Sequence, residues 1–245
     1  MKEIVLSDPS GSAARTVHVR PFGDSALLVH PSDDDKESRW RMAHALAASL
    51  RKANLVGVEG ITPTFESLTI EYDPLRLDVF SLCESLTEAL STAGNIAIEE
   101  RLVEIPLVYG GDFGPDLTSV AGHLGISEND VIEKHCATMW RLAFNGAPAG
   151  APMHEGDAFG TPIPRMSHPR VKIPAGSVAV SGHQGTIYTI PAPGGWRLIG
   201  TTPLRMNNPS GQPFVALTPG DTLRFVPISV DEFHRTEPVF IGELL

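Results

Sequence analysis

The chain has 245 residues with 42% hydrophobic and 20% charged side chains, a soluble globular composition that excludes wholesale disorder. Nineteen Lys and Arg stand against twenty-nine Asp and Glu, a formal charge of −10, and no basic run is present, which argues against nucleic acid as a partner. Two cysteines, Cys83 and Cys136, with no CxxC, exclude a disulfide framework and a thiolate zinc site, and both fall on apolar helix faces as small hydrophobes.

The longest stretch free of Asp, Glu, Lys and Arg, Ile173 to Trp196, is broken by Gly176, Gly182, Gly185, Pro191, Pro193, Gly194 and Gly195. That pattern fits turns between strands and not a membrane helix, so no membrane partner is expected. The opening MKEIVLSDPSGSAART has no apolar h-region, and the expected location is cytoplasmic.

At roughly 150 residues per domain, one large or two small domains are expected. Gly and Pro number 10 in residues 1–100 and 34 in residues 101–245, which places a boundary near Asn95 to Arg101 and gives domains 1–98 and 99–245.

In the first part, Thr16–Arg20 and Ala26–His30 read as strands around a turn at Phe22-Gly23-Asp24. A helix over about Lys36–Lys52 carries Trp40, Ala43, Ala47 and Leu50 on one face. The acids Asp33 to Asp35 before it suit helix capping better than a metal site. Leu68, Ile70 and Tyr72 alternate with polar residues in a strand that ends at Asp73-Pro74, and Val79, Leu82, Cys83, Leu86 and Leu90 form a helical stripe ending near Gly94. The order predicts an α+β domain with two helices on a small sheet.

The second part opens with an alternating strand through Val103, Ile105 and Leu107. One helix follows through Leu117, Val120, Ala121 and Leu124, stopping at Gly125, and a second starts at the N-cap Ser127 and carries Val131, Ile132, His135 and Cys136. Short apolar runs at Val178–Val180, Thr186–Ile190, Arg197–Ile199, Val215–Leu217 and Thr222–Val226 predict a closed or nearly closed β-barrel.

No Lys follows a Gly, so a Walker A loop is excluded, and GxGxxG, HExxH and GxSxG are absent. Three tight turns between Pro169 and Pro203 put Arg170, Gln184, Tyr188, Trp196 and Arg197 on loops or strand ends, where their donors suit a carboxylate, a phosphate or an amide. The simpler reading is that the glycines shape turns while Tyr188 and Trp196 fill the barrel. His135, on an apolar helix face, is more often a core residue than a catalyst. His154, Glu155 and Asp157 sit together in a Gly-rich loop, but their spacing fits no established ligand pattern, and no metal site is expected.

Several segments together resemble the KipI family, which includes the B subunit of 5-oxoprolinase and proteins labelled allophanate hydrolase subunit 1. They are Phe22-Gly23-Asp24-Ser25-Ala26-Leu27-Leu28-Val29, Tyr72-Asp73-Pro74, Glu104-Ile105-Pro106 through Tyr109-Gly110-Gly111, Phe113-Gly114-Pro115-Asp116-Leu117, Val131-Ile132 with His135, Arg170 to Pro203, and Leu217 to Pro227. The resemblance covers about residues 16–228. It implies a small α/β first domain and a cyclophilin-like β-barrel second domain. It also implies partnership with a carboxyltransferase-like C subunit and with a LamB/YcsF-type A subunit, the assembly hydrolysing 5-oxoproline to glutamate with ATP. ATP, with Mg2+ and at a site open to sharing with the partner, is then the expected cofactor, with no biotin on this chain. Negative charge developing on a phosphorylated lactam oxygen would be met by Arg170 and Arg197, with His135 as a further catalytic candidate and Gly176, Gln184, Tyr188 and Trp196 as substrate- or nucleotide-binding residues.

One departure stands out. Where the family carries an aromatic-rich GFxPGFPYL segment, this chain reads Gly146-Ala147-Pro148-Ala149-Gly150-Ala151-Pro152-Met153-His154, losing three rings of roughly 150–250 Å² each. Gln184 to Tyr188 also departs slightly from the family's QTGIY. Two alternatives to the 5-oxoprolinase expectation stay open: a urea- or allophanate-related carboxyltransferase or hydrolase subunit, and an inhibitor of a sensor histidine kinase. Prolyl isomerase activity by fold analogy carries little weight.

Overall fold

The computed structural model describes residues 3–8, 15–93, 98 and 100–245. Two compact units divide the chain, Met1–Ile98 and Glu99–Leu245.

The first unit runs β1 (Ile4–Ser7), β2 (Thr16–Pro21), β3 (Ala26–Pro31), α1 (Lys36–Ala53), β4 (Val58–Pro63), β5 (Leu68–Tyr72) and α2 (Val79–Ala93). Its strands form an antiparallel sheet in the order β1-β2-β3-β5-β4. Alternation puts Val17, Val19, Leu27, Val29, Leu68, Ile70 and Tyr72 into one core with the apolar stripes of both helices. Asp35 caps α1 by accepting from Ser38 N–H at 2.8 Å, the capping role expected of the acids there. Gly94, the expected stop of α2, lies outside the described residues, as does most of the expected boundary segment.

Strands β1 and β4 are additions to the sequence reading. Both are sheet edges, and β4 carries Gly60 and a register shift between Val58 and Gly60, so neither has the clean alternation that announces a strand.

The second unit runs β6 (Leu102–Tyr109), α3 (Leu117–Leu124), α4 (Glu128–Ala137), β7 (Trp140–Gly146), β8 (Ala151–Glu155), β9 (Arg170–Ile173), β10 (Ser177–Ser181), β11 (Gln184–Ile187), β12 (Ala192–Gly194), β13 (Arg197–Thr201), β14 (Thr222–Pro227) and α5 (Val230–Arg235). Seven strands close into a barrel in the order β10-β11-β8-β7-β14-β6-β13, with β13 returning to β10. The β6–β14 pair is parallel and the other neighbours are antiparallel. Its interior is filled by Val103, Ile105, Leu107, Trp140, Leu142, Val178, Val180, Ile187, Ile199, Leu223 and Phe225, to which α3 and α4 add Leu117, Val120, Ala121 and Val131. Gly125 ends α3 in the left-handed region at φ 67°, and Ser127 opens α4 with a capping box. Asp221, fully buried, accepts two hydrogen bonds from Arg101 at 2.8 and 2.6 Å and one from Thr218 N–H, which ties the Pro219-Gly220-Asp221 turn to the residue before β6.

Three expectations are corrected here. Val215–Leu217 is no strand; only an isolated bridge joins Val215 to Asn207. His154 and Glu155 belong to β8 and not to a loop, because β8 pairs with both β7 and β11. Tyr188 and Trp196 do not fill the barrel: they pack with Ile173, Ala179, Ala192 and Leu198 in a separate cluster. Alternation decides this, since Val178, Val180 and Ile199 point inward while Ala179 and Leu198 face outward beneath the β9–β12 ribbon.

Candidate functional site

The β9–β12 ribbon and the barrel strands beneath it gather most of the residues singled out from the sequence. Arg170 opens β9, Gln184 opens β11 and Arg197 opens β13, with Tyr188 just after β11 and Trp196 just before β13, so strand ends do carry them. Arg170 donates from Nη1 and Nη2 to the two carboxylate oxygens of Asp116 at 2.8 and 2.9 Å, and Nη1 also reaches Met166 Sδ. The Asp116 hydrogen bonds, ahead of opposing desolvation, raise the Arg170 pKa from its already high usual value. Asp116 is itself buried and accepts Leu198 N–H at 2.8 Å, while its own N–H donates to Leu198 O at 2.9 Å. This two-way lacing explains the Phe113-Gly114-Pro115-Asp116 motif, for a Cβ on Gly114 would collide with the Ile199 carbonyl.

Trp196 and Tyr188 are nearly buried on the barrel's outer face. The Arg165 guanidinium sits 5.7 Å over the Trp196 ring, an exposed cation–π contact. Arg197 Nε donates to Pro164 O at 3.3 Å, and Met166 N–H donates to Gly195 O at 2.7 Å, stitching 164–166 to 195–197. Burial raises the Tyr188 phenol, and the nearby Arg165 and Arg170 charges partly offset that rise. Arg165 was missed by sequence reasoning, although an arginine five positions before Arg170 in a proline-bracketed loop was the available signal.

Of the other candidates, Gly176 adjoins Tyr188, whereas Gln184 and His135 are not brought to this cluster. Gln184 pairs across β11–β8 with Glu155. Gly176 makes the turn before β10 at φ 83°, with its N–H donating to Tyr188 O at 2.7 Å, and lines a mainly apolar cleft of about 440 Å³ together with Thr189, Thr202, Met206 and Phe233. His135 lies sealed in the barrel core, its Nδ1 at 2.7 Å from the Tyr109 hydroxyl and its backbone carbonyl accepting Trp140 Nε1–H at 3.0 Å. Burial, with the neighbouring His154 second, holds its pKa well below the usual histidine range. His154, equally buried, is pushed down to about 3, again by burial. Both Nε2 atoms lack a partner among the described residues. Cys136 is half-buried, 3.3 Å from the Tyr109 hydroxyl, and Cys83 is buried as expected.

The Ala-rich 146–154 segment forms the β7–β8 hairpin, tied down by Thr189 Oγ1 to Pro148 O at 2.8 Å and Asn207 Nδ2 to Ala149 O at 3.2 Å. Ala151 is buried, whereas Ala147 is exposed. Among the described residues no three His, Cys, Asp or Glu side chains gather as a cation site. No helix among them is long and apolar enough to cross a membrane.

Comparison with known proteins places this architecture. The family model described as "Carboxyltransferase domain, subdomain C and D" matches residues 17–217. The B subunit of Bacillus subtilis 5-oxoprolinase is 35% identical over 227 residues, covering 88% of this chain and 95% of that protein. Its Escherichia coli O157:H7 counterpart is 36% identical over 191 residues, covering 77% and 84%. Among solved structures, a conserved uncharacterized protein of Pyrococcus horikoshii is 36% identical with a TM-score of 0.52, covering 88% of this chain and 99% of that one. The Kluyveromyces lactis urea amidolyase shares the fold, with a TM-score of 0.75 and 19% identity over 95% of this chain and 16% of that one.

Proposed function

Because the chain belongs to the carboxyltransferase domain, subdomain C and D, family and is related to the B subunit of 5-oxoprolinase, we propose that it is the corresponding subunit of an ATP-dependent amidohydrolase complex that opens 5-oxo-L-proline. The observation that carries this reading is the relation to the Bacillus subtilis protein along nearly that protein's whole length. In this reading it works with a carboxyltransferase-like C subunit and a LamB/YcsF-type A subunit, in the cytoplasm. The barrel is read as cyclophilin-like, and residues 1–98 and 99–245 as separate domains.

Chemically, the γ-phosphoryl group of ATP passes to the lactam oxygen, one water attacks the activated carbon and the ring C–N bond breaks, and a second water releases phosphate. L-Glutamate and ADP remain. What this chain supplies is orientation and charge. Arg197, whose Nη atoms make no hydrogen bond among the described residues, is the donor for negative charge growing on the lactam oxygen. Arg170, already held by Asp116, acts as a positioning residue that keeps β9 and β13 together. Tyr188 and Trp196 bound the site, while Gly176 and Gln184 shape turns and strand ends nearby. His135 supports the barrel from inside. ATP with its Mg2+ is expected at a site open to sharing with the partner, and no biotin is expected on this chain.

The test is co-expression with the C subunit, addition of the A subunit, and assay of 5-oxoproline-dependent ATP hydrolysis. Turnover that falls at least about tenfold in Arg197→Ala is expected. A stable complex without turnover would redirect the substrate to another lactam or amide, or to urea-type carboxyl transfer if a biotin-bearing partner is required. No complex at all would favour the kinase-inhibitor alternative.

A further inference from the structure

The mainly apolar cleft of about 440 Å³ at the far end of β13 from Arg197 carries one polar spot that the fold itself assembles. Its walls come from 175–176, 188–191, 201–207 and the stretch from α5 to Pro238. Gly176 joins the first three, its N–H donating to Tyr188 O at 2.7 Å and its carbonyl accepting Thr202 N–H at 3.0 Å. Thr189 and Asn207, from separate walls, converge on consecutive carbonyls of the β7–β8 hairpin: Thr189 Oγ1 donates to Pro148 O at 2.8 Å and Asn207 Nδ2 to Ala149 O at 3.2 Å. Asn207 is only 5% exposed, yet its Oδ1 makes no hydrogen bond among the described residues and is not sealed, as Asn145 Oδ1 is. What that oxygen faces is the cleft. Nδ2 spends one of its two hydrogens on Ala149 O, so an acceptor and a donor stand side by side on the wall.

An apolar cavity of this size with a few fixed polar groups is the usual form of a small-molecule site. Arg205, the one charged residue along the walls, is half exposed and lies 3.9 Å from Glu243, so an anion finds no buried charge to meet it. The carboxamide edge is complementary to its own kind, a carbonyl beside an N–H on the same side of one bond, which is an amide held cis by a ring. We propose that the cleft is a binding site for a small neutral cyclic amide, its N–H donating to Asn207 Oδ1, its carbonyl oxygen facing Nδ2, and its ring carbons packed on Pro203, Met206 and Phe233. In so dry a setting the unmet Oδ1 makes the N–H count, because a ligand without it leaves a nearly buried acceptor unpaired. About 13 Å of β13 separates Arg197 from Thr201, so this is a second site, beyond the reading of Arg197 above and not resting on it.

The test uses the full chain with ¹³C-methyl-labelled methionine and three probes: 2-pyrrolidinone, N-methyl-2-pyrrolidinone, which lacks the N–H, and cyclopentanone, which keeps only the carbonyl. Met206, 3% exposed in the cleft wall, is the reporter, identified among the six methionines by the signal that Met206→Leu removes, and Met42 on α1 in the other unit is the control. A saturable shift of the Met206 methyl with 2-pyrrolidinone and none of Met42 is expected, with the other two probes weaker by about tenfold or more. In Asn207→Leu that preference should shrink to within about twofold, whereas Thr189→Val, which removes the neighbouring tie to the hairpin, should keep it. No saturable shift at Met206, or equal binding of the three probes to the unaltered chain, overturns the proposal without recourse to any variant. A preference lost equally in Asn207→Leu and Thr189→Val also overturns it, since the hairpin tie and not the Asn207 edge would then be responsible. Selective 2-pyrrolidinone binding in a chain whose assembled complex shows no 5-oxoproline-dependent turnover supports the site and counts against the enzyme reading alone.

Discussion

The interior of the barrel and the ribbon on its outer face both hold polar side chains among aromatics, yet they use them in opposite ways. Inside, His135 and His154 are fully buried, each with an Nε2 that no described residue satisfies, between Trp140 and Phe225 with ring centroids 4.5–5.5 Å apart. Outside, Arg165 is exposed over the Trp196 ring, beside a frame fixed by the Arg170–Asp116 ion pair. The difference teaches that chemistry-bearing residue types do not mark a site by themselves. Access decides, and in this unit access follows from which side of a barrel strand a residue occupies.

That contrast can be broken most sharply at Asp116. Asp116→Ala leaves Arg170 unpaired and Leu198 N–H without its acceptor, and should cost about 3 kcal/mol of unfolding free energy in a denaturant titration, while Asp116→Asn should recover part of it. A loss below about 1 kcal/mol would mean that the ribbon's frame does not depend on this pair.

Next in size is the hairpin that lost its aromatics. Ala151 is 3% exposed, so Ala151→Phe should overpack β8 and cost about 2 kcal/mol, while Ala147→Phe at the exposed turn should change stability by less than about 0.5 kcal/mol. Equal tolerance at both positions would show that room for the rings has been kept.

The interior should declare itself through pH. For both imidazoles the folded-state pKa lies below the unfolded value of about 6.5, so the unfolded chain binds the extra protons. Their contribution is complete above that value and is lost as pH falls below it, down to about 3 for His154. Between pH 6 and 5 each should contribute about 1.4 kcal/mol per pH unit to the fall in stability, and replacing one by Leu should remove about that much from the slope. A slope unchanged in His154→Leu would contradict its sealed, neutral state.

The smallest effect is expected at Arg165, where Arg165→Ala should alter stability by less than about 0.5 kcal/mol in the same denaturant titration, because its cation–π contact with Trp196 is exposed.

Much of the architecture is legible in residue order alone. The stripe through Leu82, Cys83, Leu86 and Leu90, the caps at Asp35 and Ser127, and the stop at Gly125 are local, and each is found where the pattern put it. The edge strands β1 and β4 were invisible because they take their order from a neighbour. For the site, Arg170, Arg197, Tyr188 and Trp196 were legible as strand-end donors, but Arg165 was not, since its significance comes from lying over Trp196. The commitment of Arg170 was hidden as well, because its partner Asp116 is 54 positions away.

By itself, then, the sequence determined the four longer helices with the caps at Asp35, Gly125 and Ser127, the strands of clean alternation and the family resemblance, all of which depend on residue spacing within one segment. Only the tertiary structure decided that Tyr188 and Trp196 sit outside the barrel, that His135 and His154 meet inside it, and that Arg170 is committed to Asp116. These outcomes depend on how seven strands close, with β6 and β14 pairing in parallel across more than a hundred residues, and closure is a property of contacts between segments that no local period encodes.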